Sequence, residues 1–528
     1  MKEKNNFVTP LLTDLYELTM AYAYWKSGRY EDRAVFEIFF RKNPFGGEFT
    51  IFAGLEEVLN FVSRFHYTEE DIDYVCSLLP DAGKGFREWL KGIDCSQIRI
   101  YAVKEGTIVF PLIPLIRIEG PLAVTQLLET ALLNLINYPS LVATNAARMR
   151  LAAGKEKRLL EFGLRRAQGP DGGVTASRYS YLGGFDATSN VLAAQLYGIP
   201  VRGTHAHAFV STFSTLDEIS DPTIKDEKGR EHNFVQLVLQ YRDKLGAVQS
   251  NSGELAAFVA YAQAFPRGFL ALVDTYDTLR SGIPNFLCVA LALNSIGYRP
   301  LGIRLDSGDL AYLSKRAREM FREVSKRYNV QFQDLSIVAS NDIDETTLYS
   351  LMQQGHQIDV FGIGTHLVTC QNQPALGGVY KLVEVNGTPK IKLSQDIGKI
   401  TIPGRKEAYR LIGQEGFPLL DVMIQAGEKP PKAGSNVLCR HPFEEVKRIS
   451  VKPSDVIPLH ECVWNGKSAT ASPSLQNRRE YVFKQLNSFR RDHLRPVNPT
   501  PYKVSVSEQL YDFIHKLWMR EAPIAEIK

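Results

Sequence analysis

The residues best suited to chemistry are two histidines, His205 and His207, in the segment 203–210, which reads GTHAHAFV. They follow an apolar run, 197–201, that predicts a buried strand ending near Gly203. Residues two positions apart on an extended chain point to the same side, and barrels of parallel strands carry catalytic residues at C-terminal strand ends. The spacing therefore predicts a pair of histidines in a site. The plain alternative is an ordinary turn with one exposed and one core histidine.

Four later apolar runs also end in polar residues or glycines. These runs span 269–273, 301–305, 336–339 and 358–361, and they are followed by Asp274, Asp306, Asn341 and the pair Gly364-Thr365. Helical patterns separate them, at 285–296, 310–328 and 344–353. Alternating strands and helices predict parallel βα units, whose strand ends meet at one rim. We therefore expect a packed α/β barrel with a site across that rim.

The polar groups at this rim are suited to binding phosphates and other anions. Asp274 and Asp306 are candidates to hold a magnesium-chelated diphosphate or ribose hydroxyls. The glycines before Thr365 predict a cradle of backbone amides for a phosphate, and Arg304 predicts a clamp for a carboxylate. A neutral imidazole such as that of His207 is a good nucleophile toward a phosphoryl group. The set predicts chemistry on a phosphorylated substrate.

Two upstream segments add candidate ligand-binding residues. The pattern at 142–160 predicts a long helix, and the residues that close it include Phe162, with a ring face for stacking, and Arg165, for an anionic ligand. A solvated basic helix end, favourable to the helix dipole, is the alternative. The loop 181–190 is rich in small residues, contains Ser189 and precedes a helix. Its hydroxyls and the helix amides predict a second anion site.

A metal-dependent barrel hydrolase is the main alternative from another mechanistic class. The spacing of His205 and His207 is that of a histidine metal pair. Such an enzyme needs further histidines on later strands, whereas those strands end in Asp274, Asp306 and Asn341. A barrel that binds without catalysing is disfavoured by the number of polar groups at its strand ends.

The overall composition is that of an ordinary soluble chain of two or three domains. Of the 528 residues, 44% are hydrophobic and 23% are charged, and the formal net charge is +4. This near balance argues against a general nucleic-acid or membrane binder. No apolar run reaches the ~20 residues of a membrane span, and the beginning of the sequence lacks the apolar core of a signal peptide. The six cysteines form no CxxC pair, so we expect a cytosolic protein without structural zinc.

Together these motifs resemble the nicotinate phosphoribosyltransferase family, of the animal and long bacterial type. The resemblance runs over nearly the whole chain, from the segment 11–16 to the C-terminal helices. It is strongest in the segments 162–166, 203–207, 303–309 and 362–365. It implies an irregular, TIM-like α/β barrel, expected over 136–380. It also implies an α+β sandwich domain built from both chain ends, expected over 1–135 and 381–528.

The resemblance further implies an ATP-coupled reaction. Members of the family join nicotinate to 5-phosphoribosyl 1-diphosphate, giving nicotinate mononucleotide and diphosphate, the first step of NAD biosynthesis from nicotinate. ATP hydrolysis is coupled through a phosphohistidine, and Mg²⁺ or Mn²⁺ is the implied metal. Such enzymes are head-to-tail homodimers, with the site between one barrel and the partner's N-terminal domain. No nucleic-acid or membrane partner is implied.

The roles known in the family carry over to individual positions of this chain. His207 matches the phosphorylated histidine, while Asp274 and Asp306 match ribose or magnesium-diphosphate ligands. The positions that match nicotinate contacts are Tyr16, supplied by the partner chain, Phe162, Arg165, Ser189, Thr204 and Arg304. Those that match phosphoribosyl diphosphate contacts are Asn341, Gly364 and Thr365. The family usually has serine after the phosphorylated histidine, and Ala208 stands there, which predicts weaker ATP coupling if that hydroxyl positions a phosphate. His205 receives no role.

Nicotinamide phosphoribosyltransferases are the second alternative, because they share the barrel, the histidine and an arginine matching Arg304. The resemblance places their distinguishing aspartate in the loop 185–190, where this chain has Ser189. An aspartate beside the nicotinate carboxylate would form a like-charge pair, whereas serine donates a hydrogen bond. We therefore expect nicotinate as the substrate, with Arg304, helped by Arg165, supplying the countercharge. Asp186 lies close in sequence to Ser189 and leaves the register open.

Overall fold

Six parallel strands organise the middle of the chain. Their spatial order is Leu270–Leu272, Gly302–Leu305, Ser336–Ala339, Val360–Ile363, Arg158–Glu161 and Ala187–Thr188. Val201 extends this order through a single parallel bridge to Thr188. Side chains from four of the strands form a buried apolar cluster of Leu160, Ala187, Val338 and Val360. The predicted α/β class and its irregular parallel barrel are confirmed.

Helices connect the parallel strands, as the alternating pattern predicts. They span Gly169–Leu182, Val191–Tyr197, Ile283–Ser295, Leu310–Tyr328 and Glu345–Gln353, with further helices at His207–Ser211, Phe234–Leu245, Ser252–Ala264 and Thr365–Thr369. Side-chain caps fix several of the helix starts. Asp309 accepts a hydrogen bond from the Tyr312 amide, and Asp344 accepts one from Thr347. A short hairpin, Thr223–Lys225 with Glu231–Asn233, completes this part of the chain.

Two of the predicted elements near the site are wrong. The run 197–201 is not a strand, because Asn190 caps a helix that continues to Tyr197 and Gly198 ends it with φ of 69°. The pattern at 142–160 is not one helix either. The helix Glu129–Ala153, with Pro139 inside it, ends before a separate strand, Arg158–Glu161. Phe162 and Arg165 therefore follow a barrel strand rather than close a helix.

Strands from both ends of the chain share the first antiparallel sheet. Its order is Thr388–Pro389, Val379–Val385, Arg33–Phe39, Ile116–Pro121, Arg99–Val103 and His460–Trp464. It contains a tight hairpin, in which Val385 pairs with Thr388 across Asn386 and Gly387, which both have positive φ. A two-stranded ladder joins Thr50–Ile51 to Ile108–Val109. This arrangement confirms an α+β unit built from both chain ends.

A second sheet lies entirely in the C-terminal part of the chain. Its order is Arg448–Val451, Val437–Arg440, Lys503–Ser507, Pro418–Gln425, Lys406–Ile412 and Asp455–Pro458. One face carries a buried cluster that includes Leu411, Leu420, Val422 and Ile424. The helices of the same unit span Leu15–Lys26, Leu55–Ser63, Glu69–Leu78, Lys84–Gly92, Leu122–Gln126, Leu475–Ser488 and Glu508–Glu521.

The structure, a computed structural model, describes residues 7–393 and 399–522. They fall into two units. The terminal unit comprises Met1–Ala147, Leu182–Gly184 and Cys370–Lys528, and the barrel unit comprises Arg148–Tyr181 and Phe185–Thr369. Within the described residues, no helix is both long enough and apolar enough to span a membrane.

Candidate functional site

His207 is the first residue of the helix His207–Ser211, and its ring is partly exposed at the C-terminal end of the barrel. Its Nδ1 lies 3.0 Å from the Thr275 hydroxyl, which leaves Nε2 facing two carboxylates. The distances from Nε2 are 3.9 Å to Asp274 Oδ1 and 3.7 Å to Asp306 Oδ2. The predicted convergence of this histidine with both aspartates on one rim is present in the structure.

The carboxylate of Asp274 is held rigidly by one of its two oxygens. Oδ2 accepts from the Asp306 amide at 2.7 Å and from the Ser307 hydroxyl at 2.6 Å. Oδ1, on the side of His207, is buried and has no hydrogen-bond partner among the described residues. A buried carboxylate oxygen without a partner is costly, so this atom is positioned to accept from a ligand, a cation or a protonated imidazole.

Arg304 and Asp306 form an ion pair that Ser340 supports. Arg304 donates to Asp306 Oδ1 at 2.9 Å and to the Ser340 hydroxyl at 2.8 Å, and Ser340 in turn donates to Asp306. Burial works to raise the pKa of Asp306, but the Ser340 hydroxyl and the Arg304 guanidinium hold it below its ordinary value. Asp306 is therefore ionised at neutral pH. Nη1 of Arg304 has no hydrogen bond within the described part of the chain and remains available for an anion.

Phe162 lies directly beyond the strand Arg158–Glu161, and Gly362 makes room for its ring. A Cβ atom at Gly362 would lie 2.5 Å from Phe162 Cδ2. The Arg304 guanidinium lies over the same ring, 5.4 Å from its centroid. An aromatic ring and an arginine therefore meet at the rim, which suits a flat anionic ligand.

Ser189 follows the strand Ala187–Thr188, and its amide donates to the Glu161 carbonyl at 2.9 Å. It therefore lies at the C-terminal strand end, next to the segment that carries Phe162. Asp186 lies before this strand, where its carboxylate accepts from the Leu159 amide. Of the two residues considered for the position beside the nicotinate carboxylate, Ser189 lies at the rim and Asp186 lies at the opposite end of the strand.

The residues predicted to bind phosphate follow two neighbouring strands. Thr365 begins the helix Thr365–Thr369 after Gly364, and its hydroxyl lies 3.4 Å from Arg166 Nη1. Asn341 is exposed and follows Ser336–Ala339 with φ of 99°, a conformation that is strained for a residue with a side chain. Its neighbour Ser340, rather than Asn341, makes the hydrogen bonds to the Arg304–Asp306 pair.

Three predicted nicotinate contacts are held less firmly than the others. Thr204 and Arg165 belong to the barrel unit and are exposed, and Arg165 forms no ion pair within the described residues. Tyr16 belongs to the terminal unit, where it lies on the helix Leu15–Lys26 with 46% of its surface exposed. Burial of its hydroxyl, together with the Glu129 carboxylate, raises the pKa of Tyr16 to about 12. The phenol is therefore neutral at physiological pH.

His205 points away from this cluster and packs among aromatic rings, including those of Phe209 and Tyr261. Its Nε2 accepts a hydrogen bond from the Leu272 amide at 3.3 Å. Burial lowers the pKa of His205 to about 4, so the ring is neutral. His205 and His207 do not form a joint metal site, which disfavours the hydrolase alternative. Within the described ranges, no group of three or more ionisable ligands is arranged to hold a metal by itself.

Several residues that shape the site were not singled out from the sequence. They are Thr275, Ser307 and Ser340, which fix His207, Asp274 and Arg304, and Glu161, which lies beneath Phe162. Thr275, Ser307 and Ser340 are adjacent in sequence to Asp274, Asp306 and Asn341, and this adjacency is the sequence feature that could have indicated them. Glu161 gave no signal, because a single glutamate after the charged run 155–158 is more often exposed than buried.

Comparisons with known proteins agree with this architecture. Sequence models match residues 11–137 as the nicotinate phosphoribosyltransferase N-terminal domain, 292–417 as the nicotinate phosphoribosyltransferase family and 405–514 as its C-terminal domain. A nicotinate phosphoribosyltransferase of Dictyostelium discoideum is 58% identical over 100% of this chain and 91% of its own length. The human protein of that name is 47% identical, with 97% of each chain covered.

Solved structures give the same result. The crystal structure of human nicotinic acid phosphoribosyltransferase superposes with a TM-score of 0.87 at 46% identity, covering 96% of this chain and 99% of that one. A nicotinate-nucleotide pyrophosphorylase from Pyrococcus furiosus shares the fold, with a TM-score of 0.61 at 22% identity over 93% of this chain and 98% of its own. On its sequence and its fold, this chain belongs to the nicotinate phosphoribosyltransferase family.

Proposed function

We propose that this chain transfers the phosphoribosyl group of 5-phosphoribosyl 1-diphosphate to the ring nitrogen of nicotinate. The products are nicotinate mononucleotide and diphosphate. The observation that carries the proposal is the cluster of His207, Asp274, Asp306 and Arg304 at adjoining strand ends, with Phe162 beside the arginine. The names of the full-length relatives support nicotinate rather than nicotinamide as the substrate.

The base has a binding place between an aromatic ring and a cation. The pyridine ring would lie against Phe162, and its carboxylate would accept from the unoccupied Nη1 of Arg304. Ser189, at the neighbouring strand end, would donate a further hydrogen bond, and the exposed Thr204 and Arg165 would line the approach. None of these groups is a carboxylate, so the site favours the acid over the amide.

The chemistry at ribose C1 needs positioning more than proton transfer. The bond from C1 to the diphosphate oxygen breaks as the pyridine nitrogen donates its lone pair to C1, and the electron pair of the broken bond leaves with diphosphate. The pyridine nitrogen is unprotonated near pH 7, so no general base is required. Asp306 is suited to stabilise the cationic character that develops on the ribose, because its pKa is held below the ordinary value. Asn341, Gly364 and Thr365 would hold the phosphate groups.

Asp274 and Asp306 are suited to a magnesium or manganese ion whose remaining ligands are water and substrate phosphates. Asp274 Oδ1 is buried without a partner in the described ranges, and Asp306 Oδ2 lies on the same side of His207. Magnesium commonly uses one or two carboxylates together with water and substrate phosphates. Asp274 and Asp306 would therefore hold the ion, which neutralises charge on the diphosphate when bound.

The orientation of the His207 ring supports ATP coupling through its Nε2. Nδ1 lies 3.0 Å from the Thr275 hydroxyl, and in the neutral tautomer that carries its hydrogen on Nδ1 the lone pair would be on Nε2, on the side of Asp274 and Asp306. In the phosphoryl step, Nε2 would bond to the γ-phosphorus of ATP as the bond to the bridging oxygen breaks, and ADP would leave with that electron pair. Hydrolysis of the phosphohistidine would then release phosphate. Ala208 offers no hydroxyl to this phosphate, so we expect loose coupling.

Product analysis tests the transferase proposal. The purified protein is incubated with phosphoribosyl diphosphate and Mg²⁺ or Mn²⁺, with nicotinate, nicotinamide or quinolinate, and with or without ATP. We expect nicotinate mononucleotide and diphosphate in equal amounts, with a faster rate when ATP is present. Turnover of nicotinamide at the rate of nicotinate, or no turnover of nicotinate at all, would contradict the proposal.

A homodimer with a shared site and a cytosolic location complete the proposal. Tyr16 lies in the terminal unit, whereas the other proposed ligands lie in the barrel unit. If the partner supplies Tyr16, inactive Tyr16→Ala and Asp306→Ala subunits should regain activity when mixed and allowed to exchange. Full exchange without recovered activity would place the whole site in one chain.

A further inference from the structure

Glu161 is a buried carboxylate to which the proposed reaction assigns no role. It ends the strand Arg158–Glu161, between Ile363 and Thr188 in the sheet, and is 1% exposed. One oxygen accepts from the Gly163 amide, and the other accepts from the Ser177 hydroxyl at 2.7 Å and the Thr188 hydroxyl at 2.6 Å. None of its partners in the described part of the chain is charged. A carboxylate buried among neutral donors alone is costly, so its presence at this position calls for a structural reason.

The reason is the direction of the surrounding hydrogen bonds, which need a group that only accepts at this position. The Asn190 amide donates to the Thr188 hydroxyl at 2.9 Å, and the Asn190 side chain donates to the Ser177 hydroxyl at 3.1 Å. Each hydroxyl has a single hydrogen. Because a carboxylate only accepts, both hydroxyls donate to Glu161 and accept from Asn190. The result is a one-way chain of donors that runs from Asn190 to Glu161.

These hydrogen bonds hold two segments of the polypeptide in place. Gly163, held by one oxygen of Glu161, directly follows Phe162. Ser189 lies between Thr188 and Asn190, which belong to the same hydrogen-bond network, and its amide donates to the Glu161 carbonyl. Phe162 and Ser189, the two side chains proposed to stack on and hydrogen-bond to the pyridine base, are therefore positioned by one buried carboxylate.

We infer that Glu161 is a positioning residue for the pyridine base, which fixes Phe162 and Ser189 relative to each other through its accepting oxygens. This inference rests on the proposed binding of nicotinate at these two residues. It assigns Glu161 no contact with substrate. Loss of its purely accepting character should weaken binding of the base and leave the phosphoribosyl diphosphate side unchanged.

Glu161→Gln is the informative variant, because it keeps the size and shape of the side chain. The new amide group would donate toward Ser177 or Thr188. Ser177 has another acceptor, the Gly173 carbonyl at 2.9 Å, whereas the Thr188 hydroxyl donates to no group other than Glu161 among the described residues, so its hydrogen would meet an N–H donor. We expect the KM for nicotinate to rise roughly 10- to 100-fold, while the KM for phosphoribosyl diphosphate changes less than about threefold.

Asp186→Asn is the matched control, since it makes the same chemical change at the other end of the same two strands. Asp186 accepts from the Leu159 amide at 2.8 Å and from Arg150. We expect this variant to lose thermal stability without a change in the KM for nicotinate. If Asp186→Asn raises that KM as much as Glu161→Gln does, the effect is general loosening of the strands and the inference is wrong.

Amide hydrogen exchange without substrate separates this inference from the proposed function. We expect Glu161→Gln to speed exchange in both 162–167 and 188–194, and Asp186→Asn to leave both segments unchanged. Unchanged exchange in Glu161→Gln would overturn the inference even if nicotinate is the substrate. Faster exchange in a protein that does not turn over nicotinate would instead refute the proposed function and retain the positioning role.

Discussion

Replacement of Gly362 by alanine should displace the ring of Phe162 without touching any polar group of the site. The added Cβ would lie 2.5 Å from Cδ2 and 2.6 Å from Cε2 of that ring, whereas ordinary contacts begin near 3.4 Å. The ring must therefore move by about 0.9 Å. It has little room to do so, because it packs against the buried cluster that contains Val338 and Val360 and faces Arg304.

The size of the effect follows from this displacement. Insertion of a methyl group into a packed interior typically costs about 1–3 kcal/mol, so we expect the free energy of unfolding of Gly362→Ala to fall by that amount. A shift of about 1 Å in a group that positions substrate typically costs about 100-fold in catalytic efficiency. We expect kcat/KM for nicotinate to fall roughly 10- to 100-fold, with the loss mainly in KM.

Steady-state kinetics and urea unfolding measure the two effects. Gly172→Ala is the control in the same unit, because its Cβ would meet only Gln168 Cβ, at 3.9 Å, and alanine favours the helix Gly169–Leu182. That variant should be as stable as the parent or slightly more stable. Adding Phe162→Leu to Gly362→Ala should cost less stability than the sum of the single changes, because the clash is removed. Normal kcat/KM in Gly362→Ala would show that the position of this ring does not matter for the base.

Four further outcomes are expected. His207→Ala should abolish phosphorylation by ATP, measured by intact mass under alkaline conditions, and a phosphate that persists would exclude this histidine. Ser189→Asp should depress nicotinate turnover far more than nicotinamide turnover in competition assays, and equal losses would remove Ser189 from base recognition. The pKa of Asp306 is lowered in the fold, so the stability from its charge is present above the ordinary carboxyl range and is lost as pH falls through the lowered pKa. Asp306→Asn should therefore lose less stability than the parent as pH falls below about 4, measured by urea unfolding. Burial raises the pKa of Glu254 from 4.5 to about 7, so unfolding free energy should fall as pH rises across that window, by up to roughly 3 kcal/mol. Glu254→Gln should flatten that part of the urea-unfolding profile, and an unchanged profile would exclude Glu254 as its source.

The polar ends of the barrel strands were accessible from the sequence because each follows a short apolar run. Ser336–Ala339 was predicted with its observed bounds, and Asp274 and Asp306 were placed correctly beyond their strands. The strand Arg158–Glu161 was missed, since its charged ends continue the pattern of the preceding helix. A two-leucine strand carries too little alternation to separate it from helix.

The strands of the C-terminal sheet could not be predicted from the sequence for a different reason. Its central strands bury an ion pair, Arg410 with Asp421, so charged residues occupy positions where alternation would require apolar ones. Tyr502 donates a further hydrogen bond to that aspartate. The two residues lie opposite each other on adjacent strands, and no pattern within either strand alone reveals which charges will find a partner.

The outer edge of the strand Leu270–Leu272 is joined to the segment 203–208 through side chains. The ring of His205 accepts from the Leu272 amide, and His207 Nδ1 lies 3.0 Å from the Thr275 hydroxyl. Detaching this segment breaks these two hydrogen bonds, each worth about 1 kcal/mol, and some aromatic packing. His207, the residue proposed to accept a phosphoryl group, therefore lies on a segment whose separation from the sheet costs little. Millisecond exchange broadening of the Leu272 amide in NMR spectra would report that motion directly.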